Sequence, residues 1–215
     1  MVKKRVGVLV SGRGSNLQAL LDACADPAFP AEIVLVLSNV PGAYALERAE
    51  RAKVPTITIA HKGFPGGREA FDAAMDAELR KAGVDIVCLA GFMRLLSPGF
   101  VQSWAGRMIN IHPSLLPSFK GLRTHAQALA AGVKLHGCTV HLVTPDLDDG
   151  PIIVQAAVPV LAEDSEESLA ARVLEQELKA YPLALRLIAE GKVAVDGHRA
   201  EVEAPGCGAL MNPVP

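Results

Sequence analysis

The sequence predicts an α/β fold: a mostly parallel sheet with helices on both faces and an antiparallel extension towards the C-terminus. Three observations predict it. Short apolar runs such as Val6–Val10 and Ile33–Leu37 have the character of strands buried on both faces. Through the first half they alternate with stretches of helical apolar spacing, an order met most simply by parallel strands with right-handed crossovers. After Leu135 the alternation stops. Runs at 139–143 and 152–160 are separated by a tight acidic turn, which calls for antiparallel pairing in the same sheet.

The elements follow in order. Arg5–Val10 is the first strand, and Ser11–Asn16 is a glycine turn. Leu17, Leu20 and Leu21 recur at helical spacing, and Ser15 with Gln18 reads as a capping box, so a helix starts at Ser15. Ile33–Leu37 is a strand, 43–52 a helix and 56–59 a third strand. An amphipathic helix over 68–82 is stopped by Gly83. Strands at 84–90 and 108–111 flank a short helix at 98–105. A Gly/Lys/Arg loop and a short helix lead to a strand over His136–Val143 that carries His141, with His125 and His136 counted as loop histidines. Ser165-Glu-Glu opens a long helix running to Gly191, which Pro182 is expected to kink or divide. Val193–His198 reads as a hairpin with an Asp-Gly turn, and the Gly/Pro-rich end beyond it as a mobile tail.

Composition narrows the function. Half of the 215 residues are hydrophobic, enough for a sizeable core. A net charge of −2 and 4% aromatic residues give no footing for nucleic acid or an anionic membrane as partner. None of Cys24, Cys88, Cys138 and Cys207 stands in a C-x-x-C pair, so buried free thiols in a reducing compartment are expected. The basic Met1–Arg5 segment is followed by an apolar run too short for a signal peptide or a membrane span. A cytoplasmic protein is expected.

Two places carry chemistry. Gly12-Arg-Gly-Ser-Asn16 follows a strand and opens a helix, so its amides and the helix dipole could seat a phosphate. Leu17 stands where a dinucleotide fingerprint needs a third glycine, and no Lys-Ser/Thr follows as in a P-loop. One small phosphate monoester fits better. Further on, Asn110 and His112 lie two apart on an extended chain, with Pro113 closing the strand. An amide and an imidazole can donate to a developing oxyanion, and a carboxylate such as Asp148 can orient the imidazole and accept a proton. Singly, each has a bland role in a strand end, a loop cap or an Asx turn. Asp146 and Asp149 flank Asp148, and periodicity does not choose among the three. No H-E-x-x-H or His/Cys cluster at ligand spacing is present, so no metal is expected. Gly91–Pro98 could wall a flat ring pocket or pack in the core.

Together, Gly12–Asn16, Leu89–Arg94, Asn110–Pro117 and Leu147–Pro151 occur in the order and spacing of a known family. The chain resembles the folate-dependent glycinamide ribonucleotide formyltransferases of purine biosynthesis over Val6–Gly191. The resemblance implies a single Rossmann-like catalytic domain over 1–191, with a hairpin and tail over 192–215. It implies transfer of a formyl group from 10-formyltetrahydrofolate to glycinamide ribonucleotide, without a metal, by a monomer or homodimer. It assigns Asn110, His112 and Asp148 to catalysis. Gly12, Arg13, Gly14, Ser15 and Asn16 go to the ribonucleotide phosphate, and Glu177 to its ribose. Arg94, Leu95 and Leu96, with Thr144, Pro145, Asp146, Leu147 and Asp148, go to the folate pocket, and 114–135 to a mobile loop near both ligands. Arg13 stands at a variable position of the family loop, while Arg123 and Asp149 depart from the pattern expected of relatives. A formyltetrahydrofolate hydrolase is the alternative enzyme, expected to carry an N-terminal regulatory domain. An initiator-tRNA formylase would call for a basic RNA-binding domain after the catalytic one. A non-catalytic nucleotide-binding module is the alternative outside enzymes.

Overall fold

The strand Lys4–Val10 (β1) seals Val6, Val8, Leu9 and Val10 from solvent, so consecutive side chains on both of its faces are covered. Only a central strand with cover on either side meets that demand. The structure is a computed structural model that describes residues 2–204 and 206. The elements continue with α1 (Ser15–Ala25), β2 (Ala31–Ser38), α2 (Tyr44–Arg51), β3 (Thr56–Thr58), α3 (Gly67–Lys81) and β4 (Ile86–Leu89). Then come α4 (Pro98–Ser103), β5 (Met108–His112), α5 (Thr124–Ala131), β6 (Leu135–Leu142), β7 (Ile152–Pro159) and α6 (Glu166–Ala189). The hairpin β8 (Val193–Asp196) and β9 (Arg199–Val202) follows. Seven strands make one sheet in the order β3-β2-β1-β4-β5-β6-β7. The pairs β2–β3, β1–β2, β1–β4 and β4–β5 are parallel, and β6–β7 is antiparallel. The expected fold class is the observed one.

Two compact units divide the chain: 1–110 with 142–145, and 111–141 with 146–215. In the first, Leu9, Leu35, Leu37, Val87 and Leu89 present one sheet face to Phe71, Met75 and Leu79 of α3 and to Phe100, Val101 and Trp104 beside them. Trp104 is buried, and its indole N–H donates to Asp76 at 2.8 Å, which satisfies the one polar atom of a large apolar side chain. Alternate strand positions meet α1 and α2, which pack on β2.

In the second unit, α6 packs on β7 and α5 on α6. At Gly137 of β6 a Cβ would stand 2.0 Å from the carbonyl oxygen of Ala156 on β7, so only glycine lets the strands approach. Thr139 of β6 ties down the chain after β5. Its hydroxyl donates to the Ser114 carbonyl at 2.7 Å and accepts from the Leu116 amide at 3.0 Å and from Gln155 at 3.0 Å.

Three local expectations need correction. Helix α1 does begin at Ser15, but its cap is Gly14, in the left-handed region at φ 73, with no side-chain cap. The Gln18 side chain instead donates to Asp22 and accepts from Arg48, so there is no capping box. Pro182 does not divide α6, which is continuous from Glu166 to Ala189. The carbonyl that proline deprives of a helical donor belongs to Leu178, on the exposed side of the helix where water can serve it. His125 and His136 lie in α5 and β6 rather than in a loop. The expected mobile tail falls on residues 205 and 207–215, outside the described residues.

Candidate active site

In the first unit the glycine loop leaves β1 and turns at Gly14 into α1. A Cβ at Gly14 would stand 2.7 Å from the Ala45 Cβ and 2.8 Å from its Cα, so the loop lies directly on α2. Ser11, at the loop's entry, accepts from the Met93 amide at 2.8 Å and donates to the buried Asn39 side chain at 2.6 Å. One hydroxyl therefore joins the glycine loop, the end of β2 and the turn after β4. Asn39 is held in turn by His61, whose Nδ1 lies 2.9 Å from the Asn39 backbone carbonyl and 3.2 Å from the Asn39 side-chain nitrogen. Arg13 is exposed. Arg94 stacks its guanidinium 4.5 Å above the Phe71 ring, Leu96 packs against the core and Leu95 is exposed. Asn110, Thr144 and Pro145 also belong to this unit.

In the second unit His112 is the last residue of β5 and is buried. Its Nε2 lies 3.0 Å from the Phe119 carbonyl, so Nε2 is the donor there. Its Nδ1 faces Asp148, 3.5 Å from Oδ2. Asp148 stands in the left-handed region at φ 49, a conformation aspartate tolerates better than most residues. The Gly121 amide donates to its Oδ2 at 2.9 Å, and His141 Nε2 lies 4.0 Å from its Oδ1. The three neighbouring aspartates differ in their surroundings. The Asp148 side chain is 9% exposed between two imidazoles. Asp149 is exposed and pairs with Lys120, whose hydrogen bond and charge hold the Asp149 carboxyl below its ordinary range. Asp146 is exposed. Glu177 is buried on α6. Burial first, and then the nearby Glu177 charge, push the Cys138 thiol up to about 12.

The sequence placed His141 in a strand without a role, and Ser11, Asn39, His61 and Arg48 drew no functional reading from it. The signal for His141 was its separation of two from Thr139. That spacing puts both on one side of β6, where Thr139 already serves the chain after His112.

The model of the formyl transferase family matches residues 4–185. This chain belongs to that family. The formyl transferase described here is 48% identical over 193 residues to the phosphoribosylglycinamide formyltransferase of Escherichia coli (strain K12), covering 90% of this chain and 91% of that protein. It is 53% identical over 191 residues to the trifunctional purine biosynthetic protein adenosine-3 of Homo sapiens, covering 89% of this chain. It spans only 19% of that protein's length, and 14% of the Drosophila melanogaster counterpart. The crystal structure of glycinamide ribonucleotide transformylase 1 from Symbiobacterium toebii superposes with a TM-score of 0.90 at 49% identity. That match covers 93% of this chain and 94% of the other.

Proposed function

We propose that this formyl transferase moves the formyl group of 10-formyltetrahydrofolate to the primary amine of glycinamide ribonucleotide, yielding formylglycinamide ribonucleotide and tetrahydrofolate. The catalytic domain in this reading is 1–191, with 192–215 as an appendage. The amine attacks the formyl carbon, and the carbonyl π pair moves onto oxygen. Asn110 and His112 donate hydrogen bonds to that oxyanion, and Asp148 orients His112 and takes the amine proton, directly or through one water. Collapse re-forms the carbonyl and breaks the bond to the folate nitrogen, which takes the proton that Asp148 had received, directly or through the same water. Holding the two substrates together supplies a large share of the acceleration.

One observation carries the reading: His112 is fixed with Nδ1 towards Asp148 while Nε2 donates to an oxygen acceptor, the Phe119 carbonyl. An oxyanion is a better acceptor than that carbonyl, so a formyl oxygen would take the same donor. The phosphate goes to Gly12, Arg13, Gly14, Ser15 and Asn16, and the ribose to Glu177. The folate ring goes to Arg94, Leu95, Leu96 and Thr144–Asp148. No metal enters the chemistry, since the nucleophile is already an amine. No described helix is long and apolar enough to cross a membrane. A cytoplasmic monomer or homodimer fits the charge and cysteine usage.

The test mixes purified protein and 10-formyltetrahydrofolate, with and without glycinamide ribonucleotide, and follows loss of the formyl group by absorbance. Loss only with the amine supports the transferase. Loss without it makes the protein a hydrolase, and no loss in either mixture rejects both. Sedimentation of the same sample reads the oligomeric state.

A further inference from the structure

Helix α2 holds the glycine loop by its carbonyls. The Ala45 amide donates to the Gly12 carbonyl at 3.0 Å, and Arg48 Nε donates to the Arg13 carbonyl at 2.9 Å. The peptide bonds of the loop are trans, and in a trans peptide the C=O and the following N–H point in opposite directions. Tying these two carbonyls to α2 therefore turns the Arg13 and Gly14 N–H groups to the face away from that helix. A concave row of backbone N–H groups is an anion seat.

Arg48 is not a loosely solvated surface residue. Its guanidinium also donates from Nη1 to Gln18 of α1 at 3.1 Å and stacks 4.9 Å from the Tyr44 ring centre. It is half-buried, and its aliphatic stem lies against the loop, 3.3 Å from where a Gly14 Cβ would be. A charged donor on the Arg13 carbonyl also polarises that peptide, which makes the Gly14 N–H a stronger donor.

We propose that Arg48 is a positioning residue for phosphate: from behind the loop it aims and polarises the amides that receive the ribonucleotide's phosphate. The proposal rests on the reading of Gly12–Asn16 as the phosphate seat. Arg48 touches only the loop's carbonyl side, so it contributes to ribonucleotide binding and leaves the chemical step alone.

The test compares wild type with Arg48→Met and Arg48→Lys in the full chain. Methionine keeps the helix propensity and the stem. For R48M, KM for glycinamide ribonucleotide and the inhibition constant of inorganic phosphate should rise together, on the order of ten-fold, the worth of one charge-assisted hydrogen bond. kcat and the folate KM should stay within about two-fold, the pattern of lost uniform binding. R48K should recover part of the loss, because an ammonium can reach the Arg13 carbonyl but lacks the fork that also takes Gln18. Unchanged ribonucleotide KM and phosphate inhibition would overturn the proposal, as would a parallel fall in every constant. Calorimetry with inorganic phosphate alone separates it from the proposed function. A wild type that binds phosphate more tightly than R48M but moves no formyl group rejects the function and keeps the proposal. A wild type that binds no phosphate rejects the proposal.

Discussion

The loop Gly12–Asn16 and the turn Asp146–Gly150 both place charge-handling groups beside a strand end, and they do so by opposite means. The loop works with backbone. Its carbonyls are tied to α2, its amides face the other way, and Gly14 is pressed against Ala45. The turn works with one side chain, the Asp148 carboxylate, received by His112, His141 and the Gly121 amide. Backbone donors do not titrate, so the loop's affinity should follow the ligand's protonation rather than the protein's. The turn instead concentrates its charge on a single side chain. Binding and chemistry in this protein should therefore separate under mutation.

The largest effect should come from Asp148→Asn. Asparagine also tolerates the left-handed backbone at φ 49, so the turn keeps its shape while the charge is lost. Turnover should fall by on the order of 100- to 1000-fold or more, with both substrates still bound. Near wild-type turnover in a steady-state assay would show that the carboxylate is idle. Next comes Gly14→Ala, which meets both a positive φ and the backbone of Ala45. It should cost about 1–3 kcal/mol in urea unfolding and raise KM for the ribonucleotide but not for the folate. If both KM values rise equally, the two regions are not separable in this way.

Thr139→Val tests the support beneath His112. It leaves the buried Leu116 amide without this acceptor and the Gln155 amide with only the Leu116 carbonyl of its two, at a cost of about 1–3 kcal/mol visible as a lower Tm. An unchanged Tm would mean that other groups serve them.

The last prediction concerns Asp164. Arg172, first, and the Leu161 amide hold its carboxyl well below the usual carboxylate range. An unfolded carboxyl titrates near about 4, so the unfolded chain takes the proton first. The stabilisation is complete above that pH and fades as pH falls through the lower folded value. Asp164→Asn should lower Tm at neutral pH and flatten the loss below pH ~4. An unaltered Tm–pH curve would remove Asp164 from the acid response.

How much of this was legible in the sequence follows the same division. Strand β1 declared itself through five consecutive residues that need burial, and the stop of α3 through Gly83. Such features depend on neighbours in the chain. The Ser15–Gln18 capping box was a local pattern overruled from outside, because Arg48 on α2 claims the Gln18 carbonyl oxygen. Arg48 itself sits among Glu47, Glu50 and Arg51, where an arginine looks like ordinary surface. Only the folded loop reveals the carbonyl it holds. The meeting of Asp148 with His112 and His141 brings together residues distant in sequence, and no spacing along the chain reports it. The hydroxyls of Ser11 and Thr139 were invisible for the same reason, as each joins three segments that are distant in sequence.

Gly137 carries a consequence for anyone diversifying this chain. With the carbonyl oxygen of Ala156 standing 2.0 Å from any added Cβ, nineteen of the twenty alleles at that codon meet the same obstacle, the methyl of alanine included. A saturation library selected for soluble product should return a single genotype there, while neighbouring codons drift. The position would read as invariant in such a screen without taking any part in catalysis, so intolerance to substitution is here a record of how close two strands run.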